Sequence, residues 1–152
     1  MSDEKPRSQA VVVTGASQGI GKAFCLELAP QRPKLILAAR DAVALEEVAE
    51  ACREHGAETL VVPTDVADEA SGKAAVAAAL DGYGGLQGLV NCAGIVHGEK
   101  VVGRDGPHTL AGFVRAININ LIGSFNLTRL AADSMAKSAP NAEGERVALS
   151  VD

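Results

Sequence analysis

Val11-Val12-Val13-Thr14-Gly15-Ala16-Ser17-Gln18-Gly19-Ile20-Gly21 is an apolar run that feeds a glycine-rich turn, with a helical pattern behind it. Ala10 to Val13 reads as a central parallel strand, apolar throughout because both faces are covered. Gly15 allows a tight turn that a side chain would obstruct. Gly19 lets the backbone approach a pyrophosphate, and Gly21 lets the helix pack closely on the strand. Ser17, Gln18 and Ile20 lie between these glycines, where the first N–H groups of the helix face the phosphates. A strand–turn–helix that binds nothing is the competing reading.

Outward from this turn, strands and helices alternate. The first helix runs from Gly19 to Ala29, with Ile20, Ala23, Phe24 and Leu28 expected on the buried face. Pro30 and Pro33 stop it. Leu35 to Ala39 is the second strand. Asp41 is a plausible N-cap for a helix from Ala42 to His55 that buries Leu45, Val48, Ala49 and Cys52, and Gly56 ends it. Thr59 to Pro63 is the third strand, followed by Thr64-Asp65-Val66. A third helix runs from Ala67 to about Gly82, broken by Gly84-Gly85. Leu86 to Asn91 is the fourth strand, and Cys92-Ala93-Gly94 is its exit turn. Ile95 to His108 reads as a loop.

A long helix follows from about Thr109 to Lys137. Phe113, Ile117, Leu121, Phe125 and Thr128 make one stripe, while Ile119, Ile122 and Leu130 lie elsewhere. Such a helix is expected to be buried on more than one side, against the sheet and against another subunit. Ser138 to Gly144 is a turn-rich linker, and residues 146–151 start a fifth strand. Residues 1–9 are polar and read as a flexible arm. The whole, residues 1–152, is read as one α/β domain: a Rossmann-type, doubly wound parallel sheet with helices on both faces. Right-handed crossovers put the turn at 14–21, Arg40, Asp65 and the segment 91–94 at one edge of that sheet, where open α/β sheets bind ligands.

The totals fit a globular domain. The 152 residues are 47% hydrophobic and 22% charged, an ordinary composition with enough chain for one core. A net charge of −5 argues against nucleic acid as the partner. No apolar run approaches the roughly 20 residues of a membrane span, so no membrane association is expected. The polar start carries no secretory signal. Cys25, Cys52 and Cys92 lack metal-ligand or paired spacing. They read as thiols of a reducing compartment, the cytoplasm being the simplest. His55, His97 and His108 show no ligand spacing, so no metal is expected. His55 is assigned to the C-terminus of its helix, and His97 and His108 to solvent-facing positions in the loop.

Selectivity for NAD usually comes from an acid about 20 residues beyond the glycines, bonded to the ribose 2′-hydroxyl. Here that place holds Ala39 followed by Arg40. A guanidinium would grip a 2′-phosphate with paired charged bonds, so NADP is favoured over NAD. Arg40 as a solvated loop charge is the alternative.

The spacing Thr14-Gly15-x-x-x-Gly19-x-Gly21 resembles the short-chain dehydrogenase/reductase family, and the likeness runs from Ala10 to about Arg146. It implies hydride transfer between a nicotinamide dinucleotide and a small alcohol or ketone. It also implies that Asp65 and Val66 cap the adenine ring, although Asp65 or Asp68 could equally be the N-cap of the third helix. Asn91-Cys92-Ala93-Gly94 resembles the family's Asn-Asn-Ala-Gly motif. Its Ala93 and Gly94 let the backbone pass the nicotinamide ribose, and Asn91 is expected to tie strand ends together. Asn120, in Asn120-Leu121-Ile122-Gly123, resembles the asparagine that supports the family's proton relay. A helix asparagine bonded to its own backbone is the alternative. The family's subunits pair through the long helix and the next one, which implies a homo-oligomer.

The second half, with Glu99-Lys100-Val101-Val102-Gly103-Arg104-Asp105-Gly106-Pro107, looks most like the branch that oxidises 3-hydroxyacyl-CoA thioesters. That branch typically uses NAD, against the reading of Arg40. Family chemistry also needs a serine after strand five and a Tyr-x-x-x-Lys helix, whose lysine lowers the tyrosine pKa. The single tyrosine, Tyr83, is followed by Gly84-Gly85-Leu86-Gln87, and Ser150 lies inside the incipient fifth strand. Truncation of the sheet at its C-terminal side is therefore expected. A noncatalytic nucleotide-binding or interaction protein is the second reading.

Overall fold

The computed structural model describes residues 9–140, 144 and 149–151. Residues 1–8 of the arm expected at 1–9, part of the linker and the start of the fifth strand at 146–148 lie outside them. Strands β1 (Ala10–Thr14), β2 (Lys34–Ala39), β3 (Glu58–Pro63) and β4 (Gly88–Asn91) alternate with helices α1 (Gly19–Leu28), α2 (Ala42–Glu54) and α3 (Glu69–Tyr83). A two-stranded ribbon, β5 (Val102–Gly103) and β6 (Gly106–Pro107), precedes α4 (Leu110–Ile117) and α5 (Ser124–Ala136), and β7 (Leu149–Val151) closes the order. The main sheet is parallel throughout, ordered β3-β2-β1-β4-β7. The expected fifth strand is β7, with Leu149 opposite Gly88.

Period-two alternation divides the core. Val11, Val13, Leu35 and Leu37 face α1 and α2, meeting Cys25, Leu45, Val48, Ala49 and Cys52. Val12, Ile36 and Ala38 face the opposite way, toward Ala75, Ala79, Leu127 and Ala131 of α3 and α5. Residues 10–13 of β1 and 35–39 of β2 are apolar throughout because both of their faces are covered. Helix ends follow local chemistry. Asp41 Oδ1 accepts from the Ala44 N–H at 3.0 Å, and Asp68 Oδ2 from the Ser71 N–H at 2.8 Å. Gly84, with φ +75, ends α3. His55 Nδ1 donates to the Ala51 carbonyl at 2.8 Å, which satisfies a free acceptor at the end of α2.

Two expectations need correction. First, Ile20 is 80% exposed and Ala23 is exposed, while Gly21, Cys25 and Ala29 are buried. Gly21 seats α1 so close to the preceding turn that small residues at i, i+4 and i+8 face the sheet. Second, the loop before the long helix contains the β5–β6 ribbon. Within the chain, the long helix packs one side onto the core, the side expected against the sheet. Phe113, Leu121 and Phe125 are exposed, while Gly123, Asn126, Leu127, Ala131 and Met135 are buried.

That helix, 27 residues from Leu110 to Ala136 with a mean hydropathy of 1.2 over its most apolar window, is long and apolar enough to cross a membrane by length and composition. Arg115, Arg129 and small polar residues interrupt it, so no unbroken apolar run marks it in the sequence. Only 17% of that window is buried inside the chain, on the face that carries Leu127 into the core. A six-residue π turn, Asn118–Gly123, joins α4 to α5. It shifts the register, so a stripe counted at the α period misses the buried face.

Candidate functional site

The carboxyl ends of β1 to β4 open onto a cleft of ≈ 830 Å³. Gly15, Ser17, Gln18, Gly19 and Ile20 line one wall, Arg40 and Asp41 the next, Thr64, Asp65 and Val66 a third, and Cys92, Ala93, Gly94 and Ile95 a fourth. Val114, Arg115, Asn118 and Ile119 of the long helix complete it. Ten of the thirteen sequence-predicted site residues thus meet in one place. Gly21, Asn91 and Asn120 do not line the cleft, and each supports a wall from behind.

Glycine chemistry differs by position. Gly15 has φ +64, and a Cβ there would stand 2.6 Å from the Cys92 carbonyl oxygen and 2.7 Å from the Ala93 nitrogen. It therefore lets two exit turns touch. Gly19 has φ +55, with nothing within 4 Å of where its Cβ would be, so its face looks into the cleft. Gly21 is closed off by the Gly15 carbonyl and Ala16, so the helix packs on the turn more than on the strand. No side chain caps the N-terminus of α1, and no acid stands in its first turn. The partial positive charge of that end is left facing the cleft. These features fit a dinucleotide phosphate: a free helix end, room above Gly19 and a cationic Arg40 in the adjoining wall.

Arg40 is exposed and, among the described residues, no carboxylate pairs with its guanidinium. Asp65 uses its own Oδ1 to accept from the Ala67 N–H at 3.0 Å, while its N–H donates to Ser71 Oγ. The cap of α3 is Asp68, which leaves Asp65 at the cleft. Val66 is largely buried beneath Gly123, where a Cβ would come within 2.6 Å of its Cγ2. Buried Asn126 clamps the same exit by donating to the Val66 carbonyl at 3.1 Å.

Asn91 donates to Thr128 Oγ1 at 3.1 Å. This bond ties its strand to the long helix. Thr14 makes the strand-to-strand link: its buried Oγ1 accepts from the N–H groups of both Cys92 and Ala93, each at 3.1 Å. Burial pushes the Cys92 thiol above its ordinary value, so it stays protonated at neutral pH and is a packing group.

Asn120 does not bond its own helix through its side chain. Its Oδ1 accepts from the Ile95 N–H and its Nδ2 donates to the Ile95 carbonyl, both at 2.8 Å. This amide pair pins the loop that continues the cleft wall. Asn120→Ala is expected to cost about 1–2 kcal/mol, the worth of two exposed hydrogen bonds. Hydrogen exchange at the Ile95 amide should accelerate, and an unchanged rate would exclude the pinning role.

Tyr83 lies at the other edge of the sheet, where Lys34 Nζ stands 5.5 Å over its ring, and burial raises its pKa. Its role is structural. His97 is exposed, as expected, and His108 is half-buried, and both converge on Glu99, at 3.0 and 4.0 Å. Sequence spacing does not show this, because the ribbon between them brings residues eleven apart together.

A family profile described as "short chain dehydrogenase" matches residues 9–147. The chain is 39% identical over 137 residues to a 3-hydroxyacyl-CoA dehydrogenase type-2 of Drosophila melanogaster, covering 89% of this chain and 52% of the relative. It is 34% identical over 148 residues to an 11-beta-hydroxysteroid dehydrogenase A of Sesamum indicum, covering 97% and 40%. The crystal structure of a putative short-chain dehydrogenase/reductase from Burkholderia xenovorans superposes with a TM-score of 0.81 at 28% identity, over 90% of this chain and 56% of that one. The chain spans about half the length of the curated relatives it matches.

Proposed function

The chain belongs to the short-chain dehydrogenase family, and from that premise we propose that it carries the dinucleotide-holding half of an oxidoreductase that favours NADP over NAD. Arg40 carries the preference: it is a cation in the cleft wall, paired with no carboxylate among the described residues, where an acid would select NAD. Gly19 and the uncapped start of α1 would hold the pyrophosphate, Asp65 and Val66 the adenine, and Ala93 and Gly94 the nicotinamide ribose. When bound, the dinucleotide supplies or accepts the hydride. The chain's own residues orient it, with Asn120 positioning the wall through Ile95.

Relatives named 3-hydroxyacyl-CoA dehydrogenase and hydroxysteroid dehydrogenase both act on secondary alcohols or the matching ketones, and that is the substrate class proposed. Residues 1–152 hold no Tyr-x-x-x-Lys. Binding and orienting the dinucleotide is what these residues do themselves, and proton transfer is proposed only for a site completed by such a pair. The exposed Phe113, Leu121 and Phe125 support self-association through the long helix. The thiols of Cys25 and Cys52, buried and unpaired, fit a cytoplasmic setting.

Calorimetric titration of the purified chain with NADPH and NADH tests the reading. NADPH should bind more tightly. Arg40→Ala should weaken NADPH by about 10- to 100-fold, the worth of charge-assisted bonds, and leave NADH unchanged. No heat from either nucleotide with a folded protein would overturn the proposal.

A further inference from the structure

The loop between β4 and α4 gathers two histidines and a glutamate from both sides of the β5–β6 ribbon. His97 Nε2 lies 3.0 Å from Glu99 Oε2, and His108 Nδ1 lies 4.0 Å from the same oxygen. All three donor atoms fall within 4.8 Å of one another. Ligands held at about 2.0–2.2 Å around a tetrahedral zinc ion stand roughly 3.3–3.6 Å apart. Side-chain shifts of about an ångström or less therefore turn the cluster into a ligand set. We propose that His97, Glu99 and His108 bind a borderline divalent cation, zinc foremost, which fastens the two ends of this loop together.

The surroundings prepare each donor. Thr109 donates its N–H to Glu99 Oε1 at 3.0 Å and its hydroxyl to Oε2 at 2.8 Å. Those bonds and the His97 ring fix both carboxyl oxygens in place. Gly112 of α4 leaves space for the His97 ring, because a Cβ there would overlap it. The His108 ring is wedged edge-on between His97, at 5.4 Å between centroids, and Phe113, at 6.4 Å. Such outer contacts orient ligating imidazoles. His108 Nδ1 also bonds the Thr109 carbonyl at 2.8 Å. Coordination at Nδ1 moves the ring proton to Nε2 and gives up that one bond.

Two imidazoles and a carboxylate suit zinc and its borderline neighbours better than calcium or magnesium, which prefer oxygen alone. The loop starts at Ile95, which lines the dinucleotide cleft. A cation at its base would therefore stiffen one wall of that cleft without entering it.

The test is calorimetric titration of the chelator-treated chain with zinc chloride. One equivalent should bind, and His97→Ala and His108→Ala should each weaken it about tenfold or more. His55→Ala, on α2, should leave it unchanged. Glu99→Gln keeps the shape of the side chain; it should weaken zinc similarly while leaving the circular dichroism spectrum that of the parent. X-ray absorption of the zinc complex should show nitrogen and oxygen at about 2.0–2.1 Å, without sulfur near 2.3 Å. Absence of saturable binding overturns the proposal. So does binding undiminished in the folded Glu99→Gln variant, or sulfur ligation by the cysteines.

Discussion

Gly21→Val is expected to remove roughly 3 kcal/mol or more of stability, the upper range for overpacking against atoms that cannot yield. The valine Cβ would fall on the carbonyl oxygen of Gly15 and stand 3.1 Å from the Ala16 Cα. Both neighbours are backbone, so no rotamer change relieves the clash. Either α1 lifts off, which uncovers Cys25 and Ala29, or the turn opens and moves Gly15 away from Cys92. A domain of this size loses about 2–4 °C per kcal/mol, so the thermal midpoint should fall by roughly 10 °C. Gly19→Val is the comparison. It meets open space and costs only the left-handed conformation, about 1–2 kcal/mol. Its larger effect should be on NADPH binding, because the new side chain occupies the place of the phosphates. Denaturant titration of both variants decides the matter, and a milder effect at Gly21 than at Gly19 would refute this packing account.

The contrast between these two glycines also shows what was legible in the sequence. The strand–turn–helix, the three intervening helices and the strand ends that form the cleft follow from hydrophobic period, prolines and glycines. Such signals are local, and each names its own position in the fold. Asp41 and Gly56 are legible for the same reason, since a cap acts within one turn of its own residue. The face that α1 buries is not legible that way. Periodicity favours Ile20 and Phe24, but the close approach at Gly21 turns Ile20 into the cleft.

Longer-range signals fail more often. The apolar stripe of the long helix is real, yet the π turn at Asn118–Gly123 and the amide pair between Asn120 and Ile95 set its register. Neither is visible from spacing along one helix. Asn126 gives no sequence signal at all: it is one more polar residue in a helix, until Gly72 and the Val66 carbonyl close around its amide. The His97–Glu99–His108 cluster needs a hairpin that two-residue strands are too short to announce.

Thr14 is the residue that sequence reading most undervalued, and Thr14→Val is the second large effect expected. Threonine and valine have nearly the same shape, so the substitution leaves the core filled. What disappears is one oxygen that accepts from two N–H groups, those of Cys92 and Ala93. Thr14 is 1% exposed, so water cannot replace the oxygen from the strand side. Each stripped donor costs about 1–3 kcal/mol, and the two together roughly 2–4 kcal/mol because the exit turn is only half-buried. Gly15, the next residue, touches the same peptide through its missing Cβ. Losing the Thr14 anchor should therefore let Ala93 and Gly94 drift from the cleft, and NADPH affinity should fall along with stability. Thr14→Ser keeps the acceptor and loses one methyl group, about 0.8 kcal/mol, with affinity retained. Urea melts should show a lower midpoint for valine at an unchanged slope, with faster amide exchange at Cys92 and Ala93. A valine variant as stable as the serine variant would mean that the hydroxyl does not hold the exit turn of β4 against β1.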